Sequence, residues 1–90
     1  MSAERRRAVL SALGVAAGHR LPLAALLLQL DLIGYAVSAD RLRTDLAWSA
    51  EQGLLQFAGD VATLTERGVD VACGRARLPG VGRPLPGALQ

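Results

Sequence analysis

The sequence predicts a mainly helical fold carrying one small β-hairpin, and three observations point there. Apolar residues make up 51% of the chain but aromatic ones only 3%. A core of Leu, Val and Ala suits packed helices better than a β-sandwich. Several stretches place apolar residues at helical spacing between a capping residue and a glycine. One run, "LLQFAGDVATLT", breaks that period around a turn-forming Gly-Asp pair. Ninety residues make one small domain with a modest core and little room for a catalytic cleft, so binding is expected and enzymatic activity is not.

The first helix is expected from an N-cap at Ser2, with Glu4 near the positive end of its dipole and Val9, Leu10 and Leu13 inward. It ends at Gly14 or Gly18. Pro22 suits the first turn of a second helix that runs to about Leu32, where Gly34 supplies the break. "IGYAVSADRLRTDLAW", residues 33 to 48, then reads as the turn and second helix of a helix-turn-helix. Ser38 caps this third helix, Asp40 adds negative charge to its first turn, and it extends from about Ala39 to Gln52. Gly53 suits a left-handed C-cap, and two short strands follow around Gly59-Asp60. Thr65 caps a last helix, with Glu66 in its first turn and Val69, Ala72 and Cys73 forming a narrow apolar side before Gly74. The expected domain is therefore 1-74. Residues 75-90, "RARLPGVGRPLPGALQ", are rich in Arg, Pro and Gly without periodicity and are expected to form a flexible tail.

Charge narrows the choice of partner. All ten basic residues are arginine, which codon bias explains more simply than a phosphate-gripping role. The pI near 9.5 points toward nucleic acid only until the charges are located. Residues 1 to 74 hold seven Arg against eight carboxylates, and the excess sits at Arg75, Arg77 and Arg83. The expected folded body is not basic, which weakens the electrostatic case for DNA. Cys73 alone permits no internal disulfide and, with His19 as the one histidine, suggests no metal site and no cofactor. A reducing cytoplasmic compartment fits. The opening "MSAERRRAVLSALGVAAG" has a leader-like basic start, but Glu4 interrupts it and cleavage would leave too little to fold. Leu21 to Val37 is shorter than the roughly 20 residues of a membrane span and contains Gln29 and Asp31. No membrane partner is expected.

Three helices, "GLL" leaving the third, a hairpin and then "LTERG" opening a terminal helix together resemble a winged helix-turn-helix domain, with the hairpin as its wing. More finely, "RLRTDLAW", "GLL", "LTERGVD" and "GVGRP" are similar to a group of small winged-helix proteins of Mu-like bacteriophages and prophages, of the ArsR-like transcriptional regulator type. The resemblance runs over about residues 5 to 84 and implies a phage-encoded, dimeric DNA-binding regulator. Where that group tends to have Leu after the Trp of helix three, this chain has Ser49, which is expected to loosen the core. Metal-sensing members of the wider group use clustered Cys, His and Asp; nothing here matches, and no metal is carried over.

Taking Leu42, Leu46, Ser49 and Gly53 as the inward stripe of helix three turns Asp40, Arg41, Thr44, Ala47, Trp48 and Glu51 outward. Double-stranded DNA would then meet Arg41, Arg43 and Thr44, with Ser38 at the helix entrance and Arg5 and Arg6 as a basic N-terminal cluster touching phosphates. Asp40, Asp45 and Glu51 place repulsive charge beside them, and the wing tip offers no cation. Arg5, Arg6 and Arg7 read more readily as a capped, solvated first turn than as such a cluster. His19 reads as an exposed loop residue outside any nucleophile pair. Trp48 is either core or, if exposed, an anchor for a partner. The second helix is apolar nearly all round: Leu23, Leu26, Leu27 and Leu30 fill one side, Leu28 and Leu32 the other. Leu28 and Leu32 form a self-association or partner surface unless the last helix or the tail covers them. The alternative to a DNA regulator is thus a protein-protein interaction module that binds a host or phage factor.

Overall fold

A computed structural model describes residues 3–77 together with Pro79 and Val81; the expected cap at Ser2 and most of the expected tail lie outside the described residues. The elements are α1 (Ala3–Val15), β1 (Arg20–Pro22), α2 (Leu23–Leu32), α3 (Ala39–Glu51), β2 (Leu55–Ala58), β3 (Val61–Leu64) and α4 (Glu66–Ala72), with a short 3₁₀ turn at Ala17–His19. Four helices therefore pack with a small antiparallel sheet of order β1-β3-β2. The mainly helical class with a hairpin is as the composition and periodicity predict.

The helix ends are set locally. Ser38 Oγ accepts the Arg41 N–H and Thr65 Oγ1 accepts the Gly68 N–H, so both expected N-caps are made. At the other ends α2, α3 and α4 stop in the same way. Gly34, Gly53 and Gly74 take positive φ, and the residue after each donates its N–H back to Leu30, Ser49 and Asp70 respectively. This is the Schellman arrangement, which uses carbonyls that the helix leaves unpaired. Gly59 and Asp60 both have φ of 58°, the left-handed pair that closes a two-residue hairpin with the twist of its strands.

β1 is the element that periodicity misses. Three residues ending in proline carry no alternation to read, yet Arg20, Leu21 and Pro22 pair with Thr63, Ala62 and Val61. Proline is tolerated at the end of this edge strand, where no ladder N–H is required. Pro22 accordingly stands before α2 as its N-cap, one step earlier than its expected place in the first turn. No side chain caps α2; the Leu23 N–H donates instead to the Asp60 carbonyl of the hairpin at 2.7 Å.

The core joins Val9, Leu10 and Leu13 of α1, Leu23, Leu26 and Leu30 of α2, Leu42 and Leu46 of α3, and Leu54, Leu55, Ala62, Leu64, Val71 and Ala72. On α4 the buried stripe is Gly68, Val71 and Ala72, with Val69 and Cys73 half-buried, a rotation from the expected Val69–Ala72–Cys73 side. Ala76 and Val81 pack against the same cluster. Among the described residues no helix is long and apolar enough to cross a membrane.

Candidate nucleic-acid interface

α3 presents one continuous outward face. Asp40, Arg41, Arg43, Thr44, Ala47 and Glu51 are all exposed, while Leu42, Asp45, Leu46 and Ser49 are buried. Of the inward stripe read from sequence, Leu42, Leu46 and Ser49 are buried but Gly53 is exposed, and of the charged or outward positions Asp45 is buried and Trp48 half-buried. The Ser38 hydroxyl is engaged by the Arg41 N–H at 3.1 Å. Thr44 Oγ1 donates to the Asp40 carbonyl at 3.1 Å, an i−4 bond within the helix. Among the described residues Arg41 makes no ion pair. Arg43 makes two, from Nη1 to Asp40 Oδ1 and from Nη2 to Asp60 Oδ2, each at 3.5 Å.

Asp45 corrects two expectations at once. Its side chain is 1% exposed, so it adds no repulsive charge to the outward face. Arg5 Nε donates to its Oδ2 at 2.6 Å, and Arg6 Nε lies 3.7 Å from its Oδ1. Arg5 and Arg6 are thus turned inward, with side chains 11% and 13% exposed, rather than forming a solvated first turn or a basic cluster free for phosphates. Arg7 is also buried and donates from Nη1 to the Ala72 carbonyl at 2.8 Å. Burial lowers the Arg7 pKa from its ordinary value, with the nearby Cys73 acting in the opposite sense. The three consecutive arginines tie α1 to α3 and to the end of α4.

Trp48 is half-buried, packed against the core, with the Arg6 guanidinium 3.9 Å from its ring centroid. The cation covers the ring and the carboxylate holds the cation. Ser49 is buried and donates its hydroxyl to the Asp45 carbonyl at 2.9 Å, so the position holds a satisfied polar group where a leucine was expected from the resemblance. Leu28 and Leu32 are 61% and 75% exposed, and Ile33, which the sequence reading passed over, is 58% exposed. His19 is exposed at the end of the 3₁₀ turn. Among the described residues no three His, Cys, Asp or Glu side chains gather in a way that would hold a metal ion.

Two charged contacts could be sought in sequence only in part. Asp45 lies at the edge of the wheel's inward stripe, beyond Ser49 and next to the exposed Arg41, so the sequence marks it as a border position and its burial follows from the arginines of α1. Asp60 beside Arg43 has no such signal, because the hairpin turn meets α3 only through the tertiary fold.

The chain matches no protein-family profile. It is similar to the uncharacterized protein gp26 of Escherichia phage Mu, with 49% identity over 63 residues, 66% of this chain and 66% of that protein, just under two thirds of its length. No solved structure matches the chain. The likeness to the Mu protein supports a phage origin.

Proposed function

We propose that the chain is a winged-helix DNA-binding protein that acts as a phage-encoded, dimeric transcriptional regulator through the outward face of α3. The observation that carries this reading is the order α1-β1-α2-α3-β2-β3 with its β1-β3-β2 sheet, which leaves the Ser38-capped α3 presenting a continuous exposed face, polar except at Ala47. In a helix-turn-helix docked on DNA, that face enters the major groove. Arg41 and Arg43 reach bases or phosphates, and Thr44 and Ala47 allow close approach. Burial of Asp45 removes one carboxylate that argued against the reading. The face still carries Asp40 and Glu51 against Arg41 and Arg43, so affinity depends on few phosphate contacts. Two copies would address half-sites about one DNA turn apart.

The experiment is duplex binding against salt, for the intact chain and for the variant Arg75→Ala, Arg77→Ala, Arg83→Ala, which keeps the core contacts of Ala76 and Val81, with random and phage-derived DNA. Specific binding that survives these substitutions supports α3 as the reader. Binding that follows the arginines after Gly74 contradicts it.

A second reading, a protein-interaction module, draws on the exposed Leu28, Leu32 and Ile33, since small proteins limit contiguous apolar surface. Trp48 no longer contributes to it as a free anchor. Leu28→Ser with Leu32→Ser separates the readings: lost self-association with DNA binding retained at high protein concentration assigns the surface to the dimer. Lost capture of a protein partner, with no DNA binding by the parent, favours the module.

A further inference from the structure

We propose that Asp60, acting with Asp40, holds Arg43 in an intramolecular bridge that a DNA phosphate must displace, so that the hairpin turn lowers the affinity of α3 for DNA. This rests on the reading of α3 as the DNA-facing element.

The guanidinium of Arg43 meets the two carboxylates through two different nitrogens, Nη1 toward Asp40 and Nη2 toward Asp60. Those N–H groups are the ones an arginine offers to a phosphate. The two carboxylates differ in how firmly they are held. Asp40 sits one helical turn before Arg43 with its side chain almost wholly exposed, so it swings away at little cost. Asp60 belongs to the closed hairpin turn, and its carbonyl accepts the Leu23 N–H at the start of α2. Its backbone is tied to two elements, so an exposed carboxylate is carried on a fixed base with one oxygen 3.5 Å from Arg43 Nη2. The local charge of the trio is −1. A phosphate arriving at Arg43 must therefore replace a carboxylate and approach a second one. A wing tip that assists DNA binding would carry a cation; this one carries the anion that competes with DNA for the arginine of α3.

The test is duplex affinity, by fluorescence anisotropy, of the parent, Asp60→Asn, Arg43→Ala and the double variant. Asparagine accepts the left-handed backbone of residue 60, so the turn is kept. Exposed ion pairs are weak, and the expected gain for Asp60→Asn is about two- to five-fold. That gain disappears when Arg43 is already alanine. No gain, or an equal gain in both backgrounds, overturns the proposal, because either result reduces Asp60 to a general repulsive charge or to nothing. The bridge is also read without DNA, by NMR relaxation of the Arg43 Nε–H group. Restriction in the parent that is relieved in Asp60→Asn is expected. Equal mobility in both overturns the bridge whatever the DNA result. A bridge present in a protein that binds DNA in neither form overturns the competition and the DNA reading together, while leaving the ion pair itself standing.

Discussion

Asp45 is a carboxylate held in the interior by cations from another helix, and most of its consequences follow from that. Arg5 and Arg6 approach it, and Arg6 also lies over Trp48. Removing one partner of a buried ion pair leaves the remaining charges without compensation, which costs about 3–5 kcal/mol. Asp45→Ala is expected to lower stability by that amount in urea unfolding. A loss below about 1 kcal/mol, the range of exposed pairs, would mean the pair is solvated in solution. Gly68 is the second decisive residue. A Cβ built there would lie 1.8 Å from the Leu54 carbonyl oxygen, so the helix and the strand entrance must move apart to admit one. Gly68→Ala is expected to destabilise by about 1–3 kcal/mol or more, against the small gain alanine brings to an open helix position. Equal or higher thermal stability of the variant would contradict this packing. Neither effect is read from local sequence: the glycine of "LTERG" looks like a helix weakness until the Leu54 carbonyl against it is known.

At the scale of elements, what was legible is what local chemistry decides. Ser38 and Thr65 cap their helices, and Gly34, Gly53 and Gly74 end theirs, because each bond joins residues a few positions apart. β1 was not legible, since three residues have no period and its partner lies some forty residues on. The pairings of Asp45 and Asp60 are likewise tertiary. The two stretches "GLL" and "LTERGVD", which carried much of the resemblance, are in contact here. Thr65 Oγ1 donates to the Gly53 carbonyl at 2.6 Å, and the Thr65 N–H donates to the Leu54 carbonyl at 3.0 Å. One threonine thus closes α3 and opens α4. Thr65→Val removes both roles of the hydroxyl and is expected to cost about 1–2 kcal/mol. Ser38→Ala, which loses one cap bond, should cost about 1 kcal/mol. Chemical denaturation of the two variants should rank Thr65→Val as the more damaging, and the reverse order would contradict the double role.

At the scale of the whole molecule, α2 has a buried side that belongs to the core and an exposed apolar side that does not. Leu26 is fully buried while Leu28 and Leu32 are largely exposed two and six residues later. Leu26→Ala is expected to lose about 2–5 kcal/mol, whereas Leu28→Ser with Leu32→Ser should change monomer stability little and alter sedimentation behaviour instead. A large stability loss from the exposed pair would place those leucines inside a fold the present surface does not show. The charge distribution belongs to this scale too. With Arg5 and Arg6 bound to Asp45, and Arg43 to Asp40 and Asp60, Arg41 is the cation of the α3 face that makes no ion pair among the described residues. A DNA-binding role therefore rests on shape and on two arginines rather than on a basic field. The most direct test compares the parent with Arg41→Ala, Arg43→Ala on a duplex selected from random DNA, following affinity against salt. The account predicts specific binding by the parent, loss of specificity in the variant and a shallower salt dependence by about two phosphate contacts. Unchanged binding in the variant, or no selectable duplex for the parent, would contradict it.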